Sequence, residues 1–292
     1  MKILMTGSTG FIGKNLIEAL KDKHELHCVS RNSPFPYSCN LSNSELVKNL
    51  LYNIQPKVII HLAGNPLPKL DENSPTSIID DNIKTTLNLL HYAPSRCKFI
   101  FASSIVIYGS TTYRCGEKAS FHPTNIYGVT KIASECLTQV YQDNLDCITN
   151  LRLCATIGPN MNHGLCFDLL KKINNESPYL ELLGDKPGSS KPYIHIKDVI
   201  QAIELAIDKD IHGPYNVVPD DELTVEEVAN LFLEYFKSKK EIKWLGREAN
   251  WKGDNSVLKS SNIKLKWRGW KPQYATSREA ILGLLNEITK PN

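Results

Sequence analysis

Thr6-Gly7-Ser8-Thr9-Gly10-Phe11-Ile12-Gly13 sits between an apolar run and an amphipathic segment at the start of the chain, and this placement narrows the possible folds more than any other feature. Lys2–Thr6 reads as a strand, and Phe11–Lys21 carries Ile12, Leu16, Ile17 and Leu20 on one helical face. In a strand-to-helix turn each glycine has its own use. One permits the tight turn, one lets the backbone approach a pyrophosphate, and one lets the helix pack closely on the strand. The helix N-terminus then offers free N–H groups and partial positive charge to phosphates. Gly7, Gly10 and Gly13, with Thr9, Phe11 and Ile12 between them, are therefore expected to cradle a dinucleotide. An ordinary glycine-rich turn is the competing reading.

The rhythm that follows fits the same architecture. Glu25–Ser30 reads as a second strand, and Ser42 with Glu45 as a capping box for a helix to about Asn53. Lys57–Ala63 is a near-continuous apolar strand, the pattern of a sheet covered on both faces. After the loop Asn65–Pro75 a helix is expected over Thr76–Tyr92, a strand over Lys98–Ser103, a helix over Asn125–Asp143 and a strand over Cys147–Leu153. Strands alternating with helices imply an α/β, Rossmann-type, doubly wound parallel sheet. Past Gly158-Pro159 the alternation breaks down. Helices are expected over Gly164–Asn174, Lys197–Asp208 and Val225–Lys237, the last capped by Thr224 with Glu227, and a strand over Tyr215–Val218. Composition alone does not place the tail that holds Trp251, Trp267 and Trp270.

Bulk properties exclude several classes. A formal net charge of +3 over 292 residues is too small to argue for nucleic acid or a membrane surface. Eight cysteines lie singly, without metal-site or redox spacing, so no metal is expected and the thiols read as reduced. No apolar run approaches the ~20 residues of a membrane span. With a strand beginning at residue 2 no leader is expected, and the chain reads as cytoplasmic.

The second strand bears on the choice of cofactor. An NAD site usually ends that strand with an acid that bonds the ribose hydroxyls. Here it ends Val29-Ser30-Arg31-Asn32. Arg31 suits the 2′-phosphate of NADP, and Ser30 can bond it. NADP(H) is thus the preferred expectation and NAD(H) the alternative.

Tyr127 and Lys131 are spaced to project from one helix face. A phenol titrates near ~10, and a neighbouring ammonium stabilises the phenolate and lowers that value. Such a tyrosine can pass a proton to or from a substrate oxygen while hydride moves at the nicotinamide. Tyr-x-x-x-Lys alone is common by chance. Ser103-Ser104, ending a strand at the ligand-binding carboxyl edge of the sheet, strengthens the case.

At this point the chain resembles the extended short-chain dehydrogenases/reductases, in the nucleotide-sugar epimerase/dehydratase branch. The marks are TGSTGFIG at 6–13, HLAG at 61–64, NIKTTLNLL at 82–90, SSIVIYG at 103–109 and YGVTK at 127–131. RLCATIGP at 152–159, KPYIHIKDV at 191–199, YNV at 215–217, LTVEEVA at 223–229 and RGWKP at 268–272 extend the likeness over nearly the whole chain. The resemblance implies that Ser104, Tyr127 and Lys131 are catalytic. It implies that Asn40, Leu41, Leu62, Ala63, Gly64 and Asn82 join the glycine loop, Ser30 and Arg31 around the cofactor. Ser104, Ile105, Ala155, His163 and Lys191 are expected at the substrate. Residues 1–158, with 193–218 returning, would form the dinucleotide-binding domain, and 159–192 with 219–292 a smaller substrate lobe. A homodimer through the helix of Asn82–Leu90 and the one bearing Tyr127 is also implied, although apolar positions there fit an ordinary core as well.

Departures from the family pattern sharpen the expectation. Dehydratases follow the catalytic threonine with Asp-Glu, whereas Ile105 and Val106 stand here and cannot move protons. Ile105 also replaces the cysteine of the 4-keto-sugar epimerase-reductases. Ala155 stands where Asn often contacts the sugar nucleotide. Lys191 replaces a diphosphate-binding Arg, keeping charge but losing the bidentate fork. The expected function is oxidoreduction at C4 of a nucleotide-activated sugar. Because of Arg31 a 4-keto-sugar reductase is preferred, with a nucleotide-sugar 4-epimerase as the close alternative. A reductase of another small carbonyl compound and a non-catalytic NADP-binding sensor are further alternatives. His163 is a second acid/base candidate or a solvated loop residue, and His61 and His195 read as structural.

Overall fold

The computed structural model describes residues 1–31, 37–66, 76–246 and 255–289. Asn32, most of the Asn65–Pro75 loop and Trp251 lie outside them. Strand β1 (Lys2–Thr6) enters the glycine turn and α1 (Phe11–Leu20); β2 (Glu25–Ser30), β3 (Tyr37–Ser38), α2 (Ser44–Ile54) and β4 (Val58–His61) follow. Next come α3 (Ser77–Ile79), a π-helical turn Asp80–Lys84 and α4 (Thr85–Tyr92), then β5 (Lys98–Ser104), α5 (Ile126–Val140) and β6 (Cys147–Leu153). The remainder comprises β7 (Ala155–Ile157), α6 (Leu165–Ile173), β8 (Tyr179–Leu182), β9 (Ser190–Lys191), β10 (Tyr193–His195), α7 (Ile196–Asp208) and β11 (Gly213–Val217). It ends with β12 (Leu223–Thr224), α8 (Val225–Tyr235), β13 (Glu241–Trp244), α9 (Ile263–Trp267) and α10 (Ser277–Thr289).

Seven strands form one sheet in the order β11-β6-β5-β4-β1-β2-β3, and every pairing is parallel. The order reverses beside β1, so the carboxyl ends of β1 and β4 flank the crevice that doubly wound sheets use for ligands. Side chains of a strand alternate between faces, and the two cores divide accordingly. Ile3, Met5, Val58, Ile60 and Ile100 pack with Leu16 and Leu20 of α1 and Val199, Ala202 and Ile203 of α7. Leu4, Ile59, Phe99 and Phe101 pack on the other face with Val47 and Leu51 of α2 and Leu89 and Leu90 of α4. Cover on both faces explains why β4 is buried throughout and reads as an unbroken apolar run.

A third core joins α6, β8, α8 and α10 through Leu169, Leu180, Leu182, Phe232, Ile281 and Leu285. It meets the sheet region where β7 pairs with β10. Trp270 is buried in the main core, with Nε1 donating to the Asp198 carbonyl at 3.0 Å.

Local signals were met unevenly. Thr224 and Glu227 form the expected capping box. The Ser42–Glu45 box does not form. Asn43 caps α2 instead, its side chain accepting from Leu46 N at 3.1 Å, while the Ser42 hydroxyl donates to Asn40 Oδ1. Asparagine is at least as good a cap as serine, and the chain uses the one a residue later. The helix expected over Thr76–Tyr92 carries the π-helical turn at Asp80–Lys84. Its carbonyls are bonded from the side: Thr85 Oγ1 donates to Asp81 O at 2.9 Å, and Thr86 Oγ1 to Asn82 O at 2.7 Å. Hydroxyls thus supply the bonds that the altered register withholds, and such turns often mark functional positions.

Candidate active site

The glycine turn closes on itself, with Gly10 N donating to Gly7 O at 3.0 Å and Gly7 N to Val29 O at 3.1 Å. Gly7 adopts φ +70, and a Cβ there would lie 2.7 Å from Ala63 N. A Cβ on Gly13 would collide with the Gly7 carbonyl and stand 2.8 Å from Ser8 Cα. Helix α1 has no side-chain cap and no acid in its first turn, so its N–H groups remain open to an anion. The Ser8 and Ser30 hydroxyls are buried without a partner among the described residues. A cradle that any Cβ would fill, an uncapped helix end and orphaned hydroxyls fit a dinucleotide. Replacing Gly13 by Ala is expected to lose cofactor retention and to lower stability by about 1–3 kcal/mol, the usual cost of overpacking. Nucleotide absorbance of the purified variant and its unfolding midpoint check this, and retained nucleotide at wild-type stability would contradict it.

One cleft leads from the turn past the carboxyl end of β2. It is lined by Thr9, Ser30, Arg31, Asn40, Leu41, Leu62, Ala63 and Gly64, all singled out in the sequence, and also by Asp81 and Thr85. Asn82 lines neither this cleft nor the larger one. It is buried behind Gly64, its Oδ1 accepting from Asn65 N at 2.6 Å and its Nδ2 donating to Thr130 Oγ1 at 2.9 Å. Its place is to hold the loop after β4 against α5. His61, buried between Thr6 Oγ1 at 2.8 Å and Thr86 Oγ1 at 3.0 Å, continues that buttress. Burial holds its imidazole down at about 3, with the Lys131 charge adding to the effect, so it stays neutral. His195 is likewise buried and stacks on Tyr274.

The expectation that Arg31 awaits a 2′-phosphate is not supported. Its guanidinium is already paired with the Asp81 carboxylate at 2.8 and 3.4 Å.

The second cleft, about 450 Å³, runs from Gly10 and Gly13 past Ser104, Ile105, Tyr127 and Lys131 to Ala155, His163 and Lys191. The sequence-predicted catalytic and substrate residues therefore share one wall-to-wall cavity. Ser104 ends β5, its hydroxyl accepting from Val106 N and donating to Leu153 O at 3.3 Å. Asn125 caps α5, accepting from Gly128 N at 2.9 Å, and so fixes the turn that presents Tyr127. Lys131 is buried, with Nζ donating to Ala102 O at 2.7 Å and lying 5.4 Å from the Tyr127 ring centre.

The electrostatics differ from the sequence expectation. Burial pushes the Tyr127 phenol up to about 12 rather than down. Burial also pulls Lys131 down to about 8, against the opposing charge of Glu135. In this cleft the ammonium faces the ring and the Ala102 carbonyl, and desolvation outweighs any help to the phenolate.

Sequence reading overlooked a polar cluster behind this wall. Ser103 Oγ donates to Glu135 Oε1 at 2.5 Å, and Arg152 clasps the same carboxylate through Nε at 2.9 Å and Nη2 at 2.6 Å. Arg152 also donates to the Tyr108 hydroxyl, which donates to Asn216 Oδ1 at 2.8 Å. Glu135 continues the Tyr127–Lys131 spacing by one turn, which was the available signal. Asn255 and Leu258 line the cleft from the distant tail, and nothing local in the sequence marks them.

A doubly wound sheet with an uncapped glycine turn at its switch point, and a tyrosine–lysine pair at its carboxyl edge, defines a dinucleotide-dependent enzyme of the short-chain dehydrogenase/reductase type. Residues 3–218 match the NAD dependent epimerase/dehydratase family, and the chain belongs to it. A protein of Bacillus subtilis (strain 168), named an uncharacterized UDP-glucose epimerase, is 30% identical over 235 residues, covering 72% of this chain and 73% of its own length. The methionine adenosyltransferase 2 subunit beta of Xenopus laevis is 29% identical over 241 residues, covering 78% and 70%. The fold matches that of the Thermus thermophilus UDP-glucose 4-epimerase in complex with NAD, at a TM-score of 0.84 and 23% identity, over 98% of this chain and 99% of that one. Among the described residues no helix is long and apolar enough to cross a membrane, and the eight cysteines are unpaired.

Proposed function

We propose that the chain is an NAD-dependent 4-epimerase of a nucleotide-diphosphate sugar. The observation that carries this reading is the shared wall of Ser104, Tyr127 and Lys131 in the cleft that begins at the glycine cradle. Its neighbours Ile105 and Val106 offer no acid or base for eliminating water. Such a wall suits hydride transfer at one carbon with proton transfer at its oxygen.

Bound in the cradle, NAD supplies the hydride acceptor and donor. Tyr127 moves the proton at the substrate C4 oxygen, and Ser104 hydrogen-bonds that oxygen to align it. Lys131 holds the ribose and places positive charge beside the phenol. Lys191, in the same cleft, would meet the diphosphate, and His163, against Asn162 Oδ1 at 2.7 Å, would stand near the entrance.

Two considerations favour epimerisation over the net reduction that Arg31 first suggested. The Arg31–Asp81 pair argues for NAD, and NAD that stays bound is recycled in place. The names of the Bacillus and Thermus proteins point to UDP-glucose as the first substrate to try. Purified protein is expected to carry NAD through gel filtration and to interconvert UDP-glucose and UDP-galactose, followed by proton NMR. NADPH consumption with a 4-keto-sugar, without retained NAD, would establish a reductase instead.

A second reading, reduction of another small carbonyl compound, is favoured by Ala155 and by the apolar Met161, Cys166 and Leu258 along the far wall. Thermal shifts with UDP, GDP, CDP and dTDP separate the two, since a sugar-nucleotide enzyme is stabilised by at least one. The proposal includes a cofactor part of residues 1–158 with 193–218, a substrate lobe from the rest, and a cytoplasmic setting that keeps the thiols reduced. It also includes a homodimer through the helix faces that expose Ile79, Leu87, Val129 and Val140.

A further inference from the structure

The end of β2 lacks the acid that normally meets the adenosine ribose, yet the cleft there does not lack one. Asp81 reaches it from the π-helical turn after β4, in a different part of the sequence. Its side chain is 18% exposed, whereas that of Arg31 is 64% exposed. The carboxylate is therefore the fixed member of the pair and the guanidinium the one drawn to it. Asp80 is engaged with Lys84 at 3.6 Å, which leaves Asp81 as the acid that meets Arg31. The turn is held by Thr85 and Thr86 on the carbonyls of Asp81 and Asn82, while Asn82 itself points inward to Asn65 and Thr130. Asp81 is thus carried on a segment already clamped to the loop beside the cofactor cradle. Ser30 lines the same cleft, and its buried hydroxyl has no partner among the described residues.

We propose that the Arg31–Asp81 pair is the cofactor-selecting device of this chain. Asp81 occupies the guanidinium that a 2′-phosphate would need and sets a negative charge against that phosphate. It also leaves the cleft suited to the uncharged 2′-hydroxyl, with Ser30 as a partner. A dianionic phosphate must displace a bidentate carboxylate and then remain beside it, whereas a hydroxyl meets neither penalty. The pair stands in open solvent at the guanidinium end, so it contributes little to stability, and its effect lies in discrimination. This inference rests on the NAD reading above.

The test measures binding rather than turnover. Protein freed of nucleotide with charcoal is titrated by calorimetry with NAD and NADP separately. Wild type is expected to prefer NAD. Asp81→Asn, and Asp81→Ser as an independent removal of the charge, are expected to raise NADP affinity relative to NAD by about tenfold or more, since a charged hydrogen-bonding group becomes available. Adding Arg31→Gln to Asp81→Asn should abolish that gain, because the freed guanidinium is its source. If wild type prefers NAD but neither Asp81 variant moves the ratio, the pair is not the selector and the NAD reading survives alone. A gain that persists without Arg31 would also overturn the role given to the guanidinium. If wild type prefers NADP, the inference and the NAD reading fall together.

Discussion

Tyr127→Phe is expected to lower turnover by about 10²- to 10⁴-fold, the range that a positioned acid/base contributes, while leaving nucleotide bound. The phenol lines the cleft with Ser104 and Lys131, and on the proposed reading it is the group that exchanges the proton. Burial holds it up at about 12, so it carries its proton at neutral pH. Lys131 is held down at about 8 and still largely carries its proton at neutral pH. On the proposed reading, NAD bound in the cradle would supply positive charge on this desolvated wall, and Tyr127 and Lys131 would then hold a phenol shifted back toward the working range. Lys131→Met should behave differently. It removes the ammonium that bonds the Ala102 carbonyl and, on the proposed reading, would hold the cofactor ribose, so retention and turnover are expected to fall together. NMR rates and the absorbance of retained nucleotide separate the two variants. Turnover within tenfold of wild type in Tyr127→Phe would remove the tyrosine from the mechanism.

The largest stability effect is expected from Arg152→Met, at about 3–5 kcal/mol, the cost of leaving a buried charge uncompensated. Arg152 is 2% exposed and all three nitrogens of its fork are bonded, to Glu135, the Tyr108 hydroxyl and the Glu117 carbonyl. Methionine fills much of the space but leaves the Glu135 carboxylate with only the Ser103 hydroxyl. The double variant Glu135→Gln with Arg152→Met should be more stable than Arg152→Met alone, because no charge is then stranded. Arg152→Lys should rescue poorly, since one ammonium cannot reproduce a planar fork. Urea unfolding of the four proteins measures these differences. A loss under about 1 kcal/mol for Arg152→Met would place the pair among ion pairs of little consequence.

Much of this architecture is legible in the sequence because its signals are local. The glycine turn, the unbroken apolar β4 and the spacing from Tyr127 to Lys131 each follow from a few neighbouring residues and a fixed period. What escapes the sequence depends on distance or on competition. Arg31 reads as free because its partner, Asp81, lies fifty residues on and is delivered by a π-helical turn that no periodicity announces. The phenol reads as titrating low because proximity to lysine is visible in spacing, while the dryness of the wall is not. Ser42 loses the cap to Asn43 because two good caps stand side by side. Asn255 and Leu258 reach the cleft only through tertiary return of the tail.

Strand β11 closes the sheet beside β6, although the chain leaves the sheet region after β6 to build β7, α6 and β8 before it returns. During synthesis β6, buried along its whole length in the finished protein, therefore waits with one edge unpaired until residue 217 has emerged. An exposed apolar edge is a template for wrong pairing between chains. A fragment ending near Gly158 would hold every residue of the glycine cradle and of the Ser-Tyr-Lys set and still be expected to aggregate. The residues of the proposed chemistry are contiguous in the chain, but the sheet that carries them is completed only by β11, so they are not expected to fold when cut out alone.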